Sequence, residues 1–81
     1  MGIVITYDPE ADAIAVDFTE RHRGDVARTQ EVDEFRRIDL DATGRPLGLD
    51  LTSVSDGIRL DGLPFAAEVA AALRGFPQLV A

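Results

Sequence analysis

Leu47-Gly48-Leu49-Asp50-Leu51-Thr52 is the stretch on which the fold turns. A leucine recurs at every second position, with Gly48, Asp50 and Thr52 between. That alternation sets the leucines on one side of a β-strand and the remaining residues on the other. Just before it, Asp41-Ala42-Thr43-Gly44-Arg45-Pro46 has hairpin-loop composition, with Gly44 suited to a left-handed position. Phe35-Arg36-Arg37-Ile38-Asp39-Leu40 alternates in turn and directs Ile38 and Leu40 inward.

The same period recurs toward the N-terminus. Residues 2–7 alternate Ile3, Ile5 and Tyr7 against Val4 and Thr6, and residues 13–19 set Ile14, Val16 and Phe18 against Ala13, Ala15, Asp17 and Thr19. Asp8-Pro9-Glu10-Ala11-Asp12 between them opens a turn through an Asx hydrogen bond and a preset φ, so the two strands form an antiparallel hairpin. A charged stretch, Glu20 to Asp25, makes a second turn. Val26 to Val32 is a weaker, mostly polar strand of edge character, followed by an acidic turn at Asp33-Glu34. Ile58-Arg59-Leu60, bracketed by Asp56-Gly57 and Asp61-Gly62, is either a short sixth strand or an ordered turn.

From Pro64 the period changes. Phe65, Val69, Leu73 and Phe76 recur every three or four residues, the spacing of one helical face. Pro64 suits the first helical position, Arg74 the last turn, and Gly75 a left-handed C-cap, with Pro77 blocking continuation. The reading is a single α+β domain over residues 1–81: an antiparallel four- or five-stranded β-meander over 2–55, and a C-terminal helix over 64–74 packed on one face. A one-residue slip of register would bury Asp39 and Asp50, so alternation sets the pairing.

The chain has 81 residues, 46% of them apolar, and a domain of this size buries only about 60–65% of the surface its unfolded chain exposes. With no cysteine it has no disulfide, thiolate metal site or Cys nucleophile. Fifteen acids against eight bases give a net charge of −7, which disfavours nucleic acid and anionic membranes as partners. No apolar run approaches the roughly 20 residues of a membrane span, and Met1 to Thr6 lacks a signal-peptide pattern, so the expected location is cytoplasmic. All eight basic residues are arginine, through use in an interface or anion site, or through the GC-rich coding that also suits eleven alanines and ten aspartates.

Asp8, Glu10 and Asp12 share the opening spacing of a calcium loop, but Ala13 and Thr19 stand where glycine and glutamate are required, so these acids are assigned to the turn. Asp39, Asp41 and Asp50 lie on or beside one hairpin, and paired carboxylates can act as acid and base or hold a metal. The plainer reading is a solvated Arg–Asp ladder with Arg37 between the acids. His22 sits in a turn between two arginines, and Ser53 and Ser55 lack a nucleophile elbow. No phosphate-binding glycine motif, triad or stacking platform is present, so no catalytic residue and no cofactor is assigned.

The helix carries charge only at Glu68 and Arg74. A helix apolar nearly all round is buried on more than one side, and a chain this short has no second layer to supply that cover. Ala66, Ala67, Ala70, Ala71 and Arg74 are therefore the expected interface. Alanine's high helix propensity offers the competing explanation.

Several segments resemble a family of small bacterial and archaeal domains of unknown function. They are Tyr7-Asp8-Pro9-Glu10-Ala11-Asp12-Ala13 opening a hairpin, Ile38-Asp39-Leu40-Asp41-Ala42-Thr43-Gly44 like an Asp-x-Asp-x-x-Gly turn, and Leu47-Gly48-Leu49-Asp50-Leu51 like its later strand with Asp50 for glutamate. The likeness spans residues 3–55. It departs at Ala13 and Ala15, where the family has bulkier residues, and from Ile58 onward. It implies a β-meander unit and no catalytic residues. Members encoded beside small toxin-like proteins imply an antitoxin or accessory binding role. The leading expectation is thus a non-enzymatic module that forms a homodimer or binds a small basic protein. The alternative is a small metal-dependent enzyme using Asp39, Asp41 and Asp50, and last comes an anion sensor using Arg36, Arg37 and Arg45.

Overall fold

In a computed structural model, which describes residues 2–18 and 25–76, the leucine strand runs through the middle of a five-stranded antiparallel sheet. The elements are β1 (Val4–Asp8), β2 (Ala13–Asp17), β3 (Arg28–Asp33), β4 (Arg36–Leu40), β5 (Pro46–Thr52), a 3-10 turn at Val54–Asp56, and α1 (Ala66–Leu73). An antiparallel sheet with one C-terminal helix is the expected α+β arrangement. Its order, β1-β2-β5-β4-β3, refines the expected meander, because β5 and not β3 lies beside β2. The reason is polarity. Leu47, Leu49 and Leu51 are buried and suit the sheet's centre, whereas Arg28 through Glu31 are all exposed and suit an edge.

Register follows the alternation. Ile5 pairs with Val16, Val16 with Leu49, and Leu49 with Ile38, so one apolar row crosses four strands and ends on Gln30 of β3. This row and the flanking Ile14, Phe18, Leu40 and Leu51 meet Val54, Leu63, Val69 and Leu73 from the segment that follows the sheet. Val69 is wholly buried. Ile58 and Leu60 belong to no strand; they pack half-buried against the core, which decides between the two readings of that segment.

The turns form by local side-chain chemistry. Asp8 Oδ1 accepts the N–H groups of Glu10 and Ala11 at 3.1 and 3.2 Å, the anticipated Asx turn. Gly44 has φ +85°, the left-handed position expected of it. The helix ends differ from expectation. α1 is shorter than 64–74, and Phe65, not Pro64, stands at its N-terminus as a left-handed N-cap with φ 56°. Its ring meets Phe18 edge-on at 4.9 Å, a contact that holds the unusual backbone in place. At the other end Arg74 remains right-handed and Gly75 makes no left-handed cap. Successive N–H groups of Arg74, Gly75 and Phe76 bond to Ala71, Ala72 and Leu73, tightening the last turn so that Phe76 packs against the core. Thr19, the Glu20–Gly24 part of the charged turn with His22, and Pro77 lie outside the described residues.

Leu49 is 1% exposed at the centre of the apolar row. Leu49→Ala is expected to lower stability by about 3 kcal/mol in urea unfolding; a loss under about 1 kcal/mol would contradict this packing.

Candidate functional site

β4 alternates Arg36, Ile38 and Leu40 into the interior, so an arginine occupies a core position at the strand's start. Arg36 is 8% exposed, and a buried guanidinium is stable only when its donors are met. Nε donates to Asp33 Oδ2 at 2.9 Å, and Nη1 donates to the carbonyls of Asp61 at 2.6 Å and Arg59 at 3.3 Å. The Asp61 carboxylate lies 3.6 Å from Nη1. Arg36 thus fastens the segment leading into α1 to the sheet. That anchoring role sets it apart from the grouping with Arg37, on the opposite face of β4, and Arg45, in the β4–β5 loop. The signal was present in the sequence: Arg36 shares the phase of Ile38 and Leu40. A hollow of about 170 Å³ opens beside it, walled by Phe35, Leu51, Val54 and Ile58.

Asp12 makes a second long-range fastening. It takes left-handed backbone at φ 52°, and its carboxylate accepts the N–H and hydroxyl of Ser55 at 2.9 and 2.7 Å. Its carbonyl accepts the N–H of Val54. The sequence reading placed Asp12 in the turn but gave no sign of its distant partner.

Asp39, Asp41 and Asp50 occupy three different settings. Asp41 Oδ1 accepts the N–H and hydroxyl of Thr43 and the N–H of Arg45, at 2.7–2.9 Å, and serves as the internal cap of its loop. Asp39 pairs in register with Gly48 and accepts the hydroxyl of Thr29 at 2.9 Å. Asp50 stands opposite Arg37, which in turn stands opposite Glu31, the alternating ladder of a solvated face. Among the described residues no three His, Cys, Asp or Glu side chains converge as metal ligands. The same outer face carries a shallow groove of about 460 Å³ over Ala13 and Ala15, bordered by Thr6, Phe35, Arg37 and Asp50.

On α1, Val69 and Leu73 turn inward, whereas Ala67, Ala70, Ala71 and Arg74 are exposed and Ala66 is half-buried. The expected interface residues thus lie mainly on the side of the helix away from the core. No helix among the described residues is long and apolar enough to cross a membrane.

These features define a small two-layer α+β domain in which a single α-helix accompanies a five-stranded sheet. Residues 4–55, well over half of the chain, match the family described as protein of unknown function (DUF2283), and the chain belongs to that family. This agrees with the resemblance drawn from the sequence at the level of a small domain of unknown function. The matched segment holds the whole sheet and ends before α1. Neither the curated proteins nor the solved structures compared with the chain gave a match.

Among the described residues, three carboxyls are held below the usual carboxylate range. The Phe35 N–H and then Arg36 do this for Asp33, the Thr43 hydroxyl and the Arg45 N–H for Asp41, and the Arg59 side chain for Asp61. A depressed folded-state pKa contributes stability that is present above the unfolded value, near 4, and is lost as pH falls through the folded one. The urea midpoint is therefore expected to decline below about pH 4, and Asp33→Asn and Asp41→Asn should each make that decline shallower. An unchanged acid limb in both variants would contradict these hydrogen bonds.

Proposed function

We propose that the chain is a non-enzymatic protein–protein interaction module that acts as a homodimer or as an antitoxin-like adaptor for a small basic protein. The observation that carries this reading is the exposed outer side of α1. Ala67, Ala70 and Ala71 present an apolar surface there, with Glu68 and Arg74 the only charges on or adjoining the helix. Small side chains let another backbone approach closely, and a helix apolar on both sides is ordinarily covered on both. The net charge of −7 favours a basic partner by electrostatic steering. The turn roles of Asp8 and Asp41 support a scaffold reading of those acids over a catalytic one.

Light scattering on a size-exclusion column is the direct test. The wild-type chain should run above its 8.8 kDa monomer mass, or bind a basic partner. Ala71→Glu puts a charge on an exposed position and so should leave the fold intact while abolishing the assembly. An unchanged assembly in that variant would remove the helix surface from the reading, and a monomeric wild type without a partner would remove the reading itself.

A further inference from the structure

The two edges of the sheet are guarded very differently. β3 carries Arg28, Glu31 and Asp33, and a register irregularity interrupts it between Glu31 and Asp33. Charges and bulges of this kind prevent an edge from pairing with another chain. β1, the opposite edge among the described residues, carries a single charge, Asp8, at its very end. Its register with β2 is unbroken, and residues 2–7 hold no charged residue and no proline. Val4 is 58% exposed, the most exposed large hydrophobic residue among those described. Ile3, Ile5 and Tyr7 are only half-buried against the core. An edge strand leaves alternate N–H and C=O groups unpaired, and β1 adds a β-branched and aromatic surface to them.

We infer that β1 pairs antiparallel with β1 of a second copy of this chain, joining two sheets into one of ten strands. The inference rests on the interaction-module reading but uses a different surface. Two features choose a second copy as the occupant. First, an antiparallel edge is self-complementary about a two-fold axis, so one patch serves both subunits. Second, two chains of charge −7 repel each other, and residues 2–7 are a stretch along which they can meet without opposing carboxylates. Pairing centred on Ile5 sets Ile5 against Ile5, Ile3 against Tyr7 and Val4 against Thr6 of the other copy. Asp8 then falls opposite Gly2, clear of the other Asp8. Ile3, Ile5 and Tyr7 of both copies extend the core row across the seam, and the exposed Val4 gains a β-branched neighbour. α1 packs nearest β1, so the two helices flank the same seam.

The double variant Val4→Lys with Thr6→Lys tests the seam. Both side chains are exposed, and in the paired state each lysine faces a lysine of the other copy. The variant also lowers the overall negative charge, so general repulsion cannot account for dissociation. Wild type is expected at twice 8.8 kDa and the variant at 8.8 kDa, with unchanged circular dichroism. Amide exchange on the wild type reads the same seam without substitution: protection at residues 3–7 should rise from dilute to concentrated protein. A dimeric variant with exchange at residues 3–7 independent of concentration overturns the inference and leaves the helix-mediated module standing, which Ala71→Glu then tests. A wild type at 8.8 kDa at high micromolar concentration also overturns it, while the basic-partner form of the module survives.

Discussion

Leu49 sits between Val16 and Ile38 at the middle of the sheet, and the rest of the molecule is arranged around keeping that row dry. Among the described residues one α-helix is set against five strands, on one side of the sheet. β1, β2, β4 and β5 must therefore alternate, because a misplaced polar residue would enter the core. Two positions depart from this pattern, each for its own reason. Arg36 enters the core phase and is met by carboxylate and carbonyl oxygens, and Gly48 is buried on the other face, where it has no side chain to hydrate.

The strands were legible because period-two alternation is a local property. Leu47, Leu49 and Leu51, Ile14 and Val16, and Ile38 and Leu40 all fall where alternation puts them. The Asx turn at Asp8 and the left-handed Gly44 were equally local. Strand order was not, since nothing near β3 or β5 states which of them will lie beside β2. Relative polarity carries that information, and it becomes readable only when all five strands are compared. The helix ends were misjudged for a related reason. Pro64 and Gly75 fit the local rules of capping, but the contacts of Phe65 with Phe18 and of Phe76 with the core set where the helix stops.

The surface chemistry was legible in part. The ladder reading of Asp39, Asp50 and Arg37 agrees with their placement on the solvated face, and Asp41 proved to serve its own loop. Arg36 was grouped with Arg37 because the two are adjacent in sequence, although strand geometry sends neighbours to opposite faces. Apart from Asp33, the oxygen partners of its side chain come from 23 and 25 residues away, a distance that no spacing rule reaches.

The bond between Asp12 and Ser55 joins positions 43 residues apart, near the beginning and the end of the family segment. Loop-closure entropy for such a separation is met only once, when the intervening strands are already in place. The first hairpin and the turn after β5 therefore act as a clasp on a closed loop. The clasp sits where β2 meets β5, next to the Ala13–Thr52 pair, so opening it loosens the turns at that end of both strands together. A chain clasped in this way resists trimming: removing the opening hairpin would leave Val54 and Ser55 without the acceptors that order their turn, far from the cut.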